Sequence, residues 1–531
     1  MPGAGGGLQR LEPGVSLVGS CSHTRTSYQI SCYSRMKNVI NLNPGYLPDN
    51  VESSAMKTSP AAISVHLREE SVMAPPGIES SHMHRQVFTT LCHATVNRIA
   101  GCFDLAFWAR DILRATQVSP AVWHAALALA AMDSRRRIPA ETETPARQQY
   151  YTFSLLEYNK SIHQLITIAR RNDAMSLNDQ ETILISNALL FGLCCLQGHQ
   201  KEATAHARNS IELFYRWRFW EHAEKSEASA TRSSLVHSGS LIALIMSFEC
   251  QFINRLGHLI SPTCLGDRKL WKSSSESFTS VTDAYLEFLP LLTSFMDATR
   301  FIGSPPDLVQ PRPDVQVAYR YEFINWKTKF DHLLRLQNPS TPSDLEGIAI
   351  LQMFFTTLEI GFKIDLAASQ VAYDMCEDLF ESIIHQAEDL YKILAAGVDQ
   401  KNPASSFSFA LPISDVFIYT ANNCRNSVLR RRLMSLVRKW PRSDGLWNSK
   451  LTVKLCEAVV LAEEYWMSAS RNKPALSSDA CYCIPNTFVC DNHRVRDLDT
   501  YFTSEREARV LLRTVGDLRN SLPGTEITVS W

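Results

Sequence analysis

The sequence predicts an all-α protein of two packed helical lobes behind a disordered N-terminal segment. Three observations carry that reading. Apolar residues recur at helical spacing from His84 onward. Proline, glycine and serine clusters interrupt those runs at intervals that suit helices of ordinary length. Alternating patterns of the β type are rare outside Glu526 to Trp531, and the last 60 or so residues read as an irregular tail.

The elements follow in order. Residues 1–83 lack a helical period and carry Pro44-Gly45, Ser53-Ser54 and Pro75-Pro76-Gly77, so they read as a disordered or linker-like segment. The first lobe, 84–220, opens with Phe88, Leu91, Val96, Ile99, Phe103, Leu105, Phe107 and Trp108 near helical spacing. Ser119 as N-cap with Pro120 at the first helical position starts the next helix. Phe153, Leu156, Ile162, Leu165 and Ile166 mark one apolar face between Tyr150 and Ile168. Asn178 and Glu181 resemble a capping box opening a helix from Thr182 to Leu196. Gln197-Gly198 stops that helix, and Lys201 to Trp217 supplies its antiparallel partner with Ala203, Ala207 and Ile211 on one face. The hairpin is single; no period near 34 residues recurs, which disfavours a solenoid.

A polar, serine-rich connection spans 221–240, and the second lobe runs 241–470. Its predicted helices are Leu241–Arg255, Val281–Phe301, Val315–Leu336, Ser343–Ser369, Tyr373–Ala396, Ser414–Arg438 and Leu451–Ser468. Pro305-Pro306, Pro311, Pro313, Pro339 and Pro342 act as breakers between them. The tail is 471–531.

Composition limits the partners. A chain of 531 residues is too long for one core at roughly 150 residues per unit. A net charge of -1 supplies no global field for nucleic acid or an anionic membrane, so any DNA contact would be local. The 14 cysteines include no Cys-x-x-Cys pair, and several sit in apolar helical runs as small hydrophobes, which suits a reducing compartment. No signal peptide is expected. The longest apolar run, Ala188 to Leu196, is about half a bilayer span, so no membrane partner is expected.

The most informative stretch is Leu411 to Glu464. It contains Leu411-Pro412-Ile413, Cys424-Arg425-Asn426, Leu429-Arg430-Arg431-Arg432-Leu433 and Trp440-Pro441-Arg442-Ser443-Asp444-Gly445-Leu446-Trp447-Asn448-Ser449, then a helical run. This order resembles the C-terminal half of the fungal transcription-factor regulatory domain, the all-helical middle homology-type module that follows a binuclear zinc-cluster DNA-binding domain. Asn426 and Ser427 stand where the family usually has an acidic residue and proline. Tyr158 to Ile162 and the Leu189 to Ser210 hairpin are similar to two further segments of that family, and the resemblance covers His84 to the C-terminus.

The resemblance implies a nuclear transcriptional regulator, often of metabolic or secondary-metabolite genes, whose partners are the transcription machinery or related regulators in a homo- or heterodimer. The family's DNA reader is missing. It needs six cysteines in two Cys-x-x-Cys clusters to hold two zinc ions, and Cys21 and Cys32 are the only cysteines of the first 90 residues. Arg10, Arg25, Arg35, Lys37, Lys57 and Arg68 are scattered singly and make no phosphate-binding arm. DNA binding by this chain is therefore doubtful, whether the cluster is lost or encoded upstream of Met1.

Other chemistry is sparse. Cys481, Cys483, Cys490 and His493 have spacings that could surround one zinc ion, but the preferred reading is a surface loop with incidental cysteines. The runs Arg135-Arg136-Arg137 and Arg430-Arg431-Arg432 read as structural, with phosphate contact or nuclear import as the alternative. His84, His93, His124, His163 and His206 lie on helices as ordinary residues, and Trp108, Trp123, Tyr150, Phe191 and Trp217 read as core before pocket lining. There is no Gly-x-Ser-x-Gly, His-Glu-x-x-His or P-loop. No catalytic, cofactor-binding or metal residue is expected, and the chain reads as a non-enzyme. Two other readings stay open: a helical interaction module that dimerises with and modulates full-length regulators, and a helical enzyme with an unrecognised site.

Overall fold

A computed structural model describes residues 74–139, 144–171, 175–221, 234–253, 255–256, 271–299, 313–337, 341–364, 369–397, 406–469, 481–484 and 487–531. The expected disorder of 1–83 falls almost wholly outside them, as do Cys21 and Cys32. Contacts sort the chain into a small unit, Met1–Ile63 with Ile166–Asp173, and a large one, Ser64–Leu165 with Ala174–Trp531. The large unit is mostly helical, as the apolar periodicity predicts.

In chain order the described helices are α1 (His82–Thr90), α2 (Val96–Ala100), α3 (Leu113–Val118), α4 (Pro120–Arg137), α5 (Pro145–Ala169), α6 (Leu177–Gln197), α7 (Gln200–Trp217) and α8 (Ser238–Ile253). There follow α9 (Val281–Thr299), α10 (Pro313–Leu336), α11 (Pro342–Lys363), α12 (Glu377–Gly397), α13 (Ile413–Asn423), α14 (Ser427–Lys439), α15 (Ser449–Ala469) and the short α16 (Val515–Arg519). Helices near in sequence pack together: α4 on α6, α6 on α7, α8 on α9, α11 on α12, and both α13 and α14 on α15. The helices flanking the expected 221–240 connection, α7 and α8, also pack directly, and α8 begins already at Ser238.

Caps explain the helix starts. Ser119 accepts the Val122 N–H with Pro120 in the first turn, as expected. The α6 capping box is Ser176 with Asp179, two residues before the expected pair. Glu181 is instead buried, accepting the Leu235 N–H at 2.7 Å and the Ser234 hydroxyl at 2.5 Å. Gly198 ends α6 in the left-handed conformation, φ 86°.

The predicted Ser414–Arg438 helix is two helices, because Asn426 caps α14 by accepting the Val428 and Leu429 N–H groups. Asparagine competes for backbone donors outside the helix and favours this position. Leu156, expected in the core, is 50% exposed, while Ile162 and Leu165 are buried.

Aromatic rings fill the interior. Phe191 packs on Phe248 with ring centroids 4.4 Å apart, Trp108 on Phe409 at 4.7 Å, and Trp326 between Phe288 and Phe330 at 4.6 and 4.8 Å. By length and composition Leu177–Gln197 and Pro342–Lys363 are apolar enough to cross a bilayer, and 83% and 61% of those windows are buried in the fold.

Two small sheets complete the unit. β1 (Ser406–Ser408) pairs parallel with β2 (Arg442–Asp444), which pairs antiparallel with β3 (Trp447–Asn448). The second sheet corrects the expectation of an irregular tail: β4 (Val495–Ser504), β5 (Glu507–Thr514) and β6 (Thr525–Ser530) form an antiparallel meander. On β5, Ala508, Val510 and Leu512 are buried and alternate with more exposed neighbours, the two-residue period of a half-buried strand. The sheet is tied to the helical body by the Thr500 N–H donating to the Arg255 carbonyl at 2.9 Å.

Candidate functional site

The chain between α15 and β4 carries the most concentrated set of ligating atoms among the described residues. Ile484 and Phe488 exchange both backbone hydrogen bonds, at 2.8 and 2.9 Å, and turn the chain back on itself. Asp491–His493 then form a single 3-10 turn in which the His493 N–H donates to the Cys490 carbonyl at 3.0 Å. The turn-back lays Cys483 beside Cys490, and the 3-10 turn lays Cys490 beside His493. Nδ1 of His493 thus lies 3.4 Å from Cys481 Sγ, 3.3 Å from Cys483 Sγ and 3.4 Å from Cys490 Sγ. All four atoms lie within 4.8 Å of one another. The four residues read as incidental in a surface loop converge in the fold, with Cys490 buried and Cys481 at the surface.

Burial pushes the Cys483 thiol up to about 12, and the Cys490 N–H, donating to Cys483 Sγ at 3.2 Å, opposes that rise. Burial likewise holds the His493 imidazole below its ordinary value, favouring the neutral ring.

The knuckle is clamped on both sides. Arg494 is fully buried and donates to the Val489 carbonyl and the Gln370 carbonyl, each at 2.8 Å, and to both oxygens of Asp374 at 2.7 and 2.6 Å. Asp491 accepts the Gln370 N–H and the Ser369 hydroxyl at 2.8 Å, and its other oxygen takes Arg519 of α16 at 2.7 Å. The Val515 N–H donates to the Arg494 carbonyl at 3.0 Å. These contacts fasten the 3-10 turn Gln370–Cys376 and the C-terminal sheet to the same loop.

Beneath it sits a buried ion cluster. Glu463, with no exposed side chain, pairs with Arg425 at 3.1 Å and Arg430 at 2.7 Å and accepts the Val495 N–H at 2.9 Å. Burial alone would raise its pKa, but the two guanidinium groups outweigh that and hold it below the usual carboxylate range. Next to the knuckle a cleft of about 300 Å³ is bordered by Tyr373, Phe380, Asn426 and Phe488. Its charged walls are engaged with their neighbours: Arg494 with Asp374, Asn426 with Glu377 at 2.8 Å, and Arg425 with Glu463.

The other sequence candidates fall into structural places. Arg430 is buried on Glu463, Arg432 makes a paired contact to Glu388 at 2.6 Å through each of two nitrogens, and Arg431 bonds Ser427 at 2.8 Å. Arg135 lies over the Tyr151 ring at 4.8 Å. His84 and His124 both face the buried Glu157, at 3.3 and 2.6 Å. His206 lies between Asn187 at 3.1 Å and Tyr158 at 3.3 Å. Trp108, Trp123 and Phe191 are core residues, whereas Tyr150 is half-buried and accepts from Gln86 at 3.1 Å.

Neither a protein-family model, nor a curated protein, nor a solved structure matches this chain. The knuckle therefore has to be read from its own geometry. Its sequence signal was the tight Cys481-Tyr482-Cys483 spacing, with Cys490 and His493 following closely.

Proposed function

We propose that this chain is the regulatory module of a fungal transcriptional regulator of the zinc-cluster family, acting in the nucleus on metabolic or secondary-metabolite genes through protein contacts. The observation that carries this reading is the sequence order of Leu411 to Glu464 together with what its landmarks do. Asn426, at the position where the family usually has an acidic residue, caps α14, and either residue type serves there. Arg425 and Arg430 both close on Glu463, so the Cys-Arg turn, the Arg-rich helix and α15 are parts of one device. Arg442, from the Pro-Arg loop, pairs with Asp444 at 2.7 Å and with Glu346. The interlocking of its polar members supports reading this motif as an architectural signature of the family.

The test is transcriptional. Full-length chain fused to a heterologous DNA-binding domain in a filamentous fungus should change reporter transcription several-fold relative to that DNA-binding domain alone. The fusion should accumulate in nuclei. A correctly folded fusion that leaves the reporter at the control level would refute the reading.

One observation favours the interaction module as a second reading. On α10, Val317, Tyr321 and Ile324 are 71%, 65% and 52% exposed at positions i, i+4 and i+7, one apolar stripe along a helix. If that stripe is a dimer face, Tyr321→Glu with Ile324→Glu turns a dimer into a monomer in light scattering, and a wild-type monomer at every concentration tested refutes it.

A further inference from the structure

We propose that Cys481, Cys483, Cys490 and His493 form a structural zinc site that staples the C-terminal sheet to the helical body. The site is independent of what the chain regulates, and it is separate from the DNA-binding cluster whose cysteines this sequence lacks.

Hydrogen bonding does not account for the geometry. A neutral imidazole nitrogen has either one lone pair or one N–H, so it makes one good hydrogen bond. Here three sulfur atoms surround the single Nδ1 of His493 at 3.3 to 3.4 Å. A central ion explains the arrangement directly. With zinc–sulfur bonds of about 2.3 Å and zinc–nitrogen bonds of about 2.0–2.1 Å at tetrahedral angles, sulfur and nitrogen ligands lie about 3.6 Å apart. The observed separations are within a few tenths of an ångström of that, and the full set within 4.8 Å fits around one ion.

The donor set and its surroundings agree with zinc. Three thiolates and one imidazole nitrogen are a common closed structural set, leaving no open coordination position for catalysis. Soft sulfur ligands in a compact cage disfavour calcium and magnesium, which take oxygen. The Cys490 N–H directed at Cys483 Sγ at 3.2 Å is the kind of outer hydrogen bond that stabilises a metal-bound thiolate. Binding converts the thiols to thiolates and releases their protons to solvent, and the ring of His493 binds in its neutral form. Cys481, at the surface, gives the ion a route in.

The position gives the site its role. The knuckle touches the 3-10 turn Gln370–Cys376 through Arg494 and Asp491, and α16 through Arg519. Val495, two residues past His493, begins β4 and donates to Glu463 on α15. An ion at this point fixes the entry of the sheet, with α16, against the Gln370–Cys376 turn and α15 of the body.

The full-length chain, expressed with zinc in the medium and purified without oxygen, should carry one zinc ion per chain by elemental analysis. Replacement with cobalt(II) should give sulfur-to-cobalt charge-transfer bands and the intense visible bands of a tetrahedral site. Cys481→Ser combined with Cys483→Ser should lose the metal and both sets of bands, while Cys195→Ser keeps them. Wild-type protein decides the matter even if the double variant misfolds. Reduced wild-type chain with no zinc and no tetrahedral cobalt bands would overturn the proposal. So would metal content unchanged in a folded double variant, or a disulfide among these cysteines with no metal retained.

Discussion

Replacing Glu463 with glutamine keeps the shape of the side chain and removes its charge. Arg425 and Arg430, 4% and 5% exposed, would then share a buried site with no anion between them. Removing one partner from a buried pair costs about 3–5 kcal/mol, because it leaves an uncompensated buried charge. Unfolding entropy is about 2 cal/mol/K per residue near the melting temperature. Over the large unit, Ser64–Leu165 with Ala174–Trp531, that amounts to about 1 kcal/mol/K, so Tm should fall by about 4 °C. The control is Arg438→Ala, which breaks a half-exposed pair with Glu457 at 2.6 Å and should cost under about 1 kcal/mol.

The pH dependence gives a second, independent readout. Because the arginines hold the folded Glu463 below the ordinary carboxylate range, folding favours its ionised form. Its contribution is therefore complete above the unfolded glutamate pKa of about 4.3 and is lost as pH falls through the lower folded value. The gap in Tm between wild type and Glu463→Gln, followed by circular dichroism, should be full at neutral pH and close in acid. A fall in Tm no larger than that of Arg438→Ala, or a gap that widens in acid, would refute the argument.

Three further outcomes follow from the same kind of reasoning. Gly445 has φ 56°, and an added Cβ would run into the Gln251 carboxamide, whose oxygen accepts the Leu446 N–H at 3.0 Å; Gly445→Ala should lose about 2 kcal/mol in chemical denaturation, and an unchanged midpoint would show that the loop can shift. Burial lowers His206 to about 4, so folding favours its neutral form and stability drains away as pH drops from about 6.5 toward that value, by up to about 3 kcal/mol. His206→Gln should flatten that part of the stability–pH curve, and an equally steep curve in the variant would show that other groups set it. Arg442→Lys keeps the charge but not the planar fork that meets Asp444 and Glu346, and should cost about 2 kcal/mol by thermal unfolding; a Lys variant as stable as wild type would mean that charge alone suffices.

How much of this was legible in the sequence depends on the range of the interaction. Helix α4 was legible from its Ser119 cap and α7 from its apolar stripe, because both are local properties. The break at Asn426 was misread because apolar residues continue on both sides of it, and the capping preference of asparagine is the local signal of the interruption. The C-terminal sheet was missed although Glu507 to Thr514 alternates cleanly. On β4, register shifts between Val495 and Asp497 and between Phe502 and Ser504 break the two-residue period, so only one strand of the pair carried its signal. The knuckle was half legible: spacing identified the four residues, but the bridge between Ile484 and Phe488 that brings them together depends on the fold.

The arginines of the Leu411 to Glu464 stretch bear on how such a module could work. A basic helix on a protein of near-neutral charge invites a nucleic-acid reading, but phosphate contact needs cations that remain available to solvent. Arg430 is consumed by Glu463, Arg432 by Glu388 and Arg438 by Glu457, each within 2.7 Å. Recruiting Arg430 or Arg432 for DNA would mean dismantling the contacts that hold α14 to α15 and α12. That cost favours a division of labour in which this stretch keeps the body rigid and any signal is passed through other surfaces. The stripe proposed on α10 is available for that role, because its apolar residues are more than half exposed.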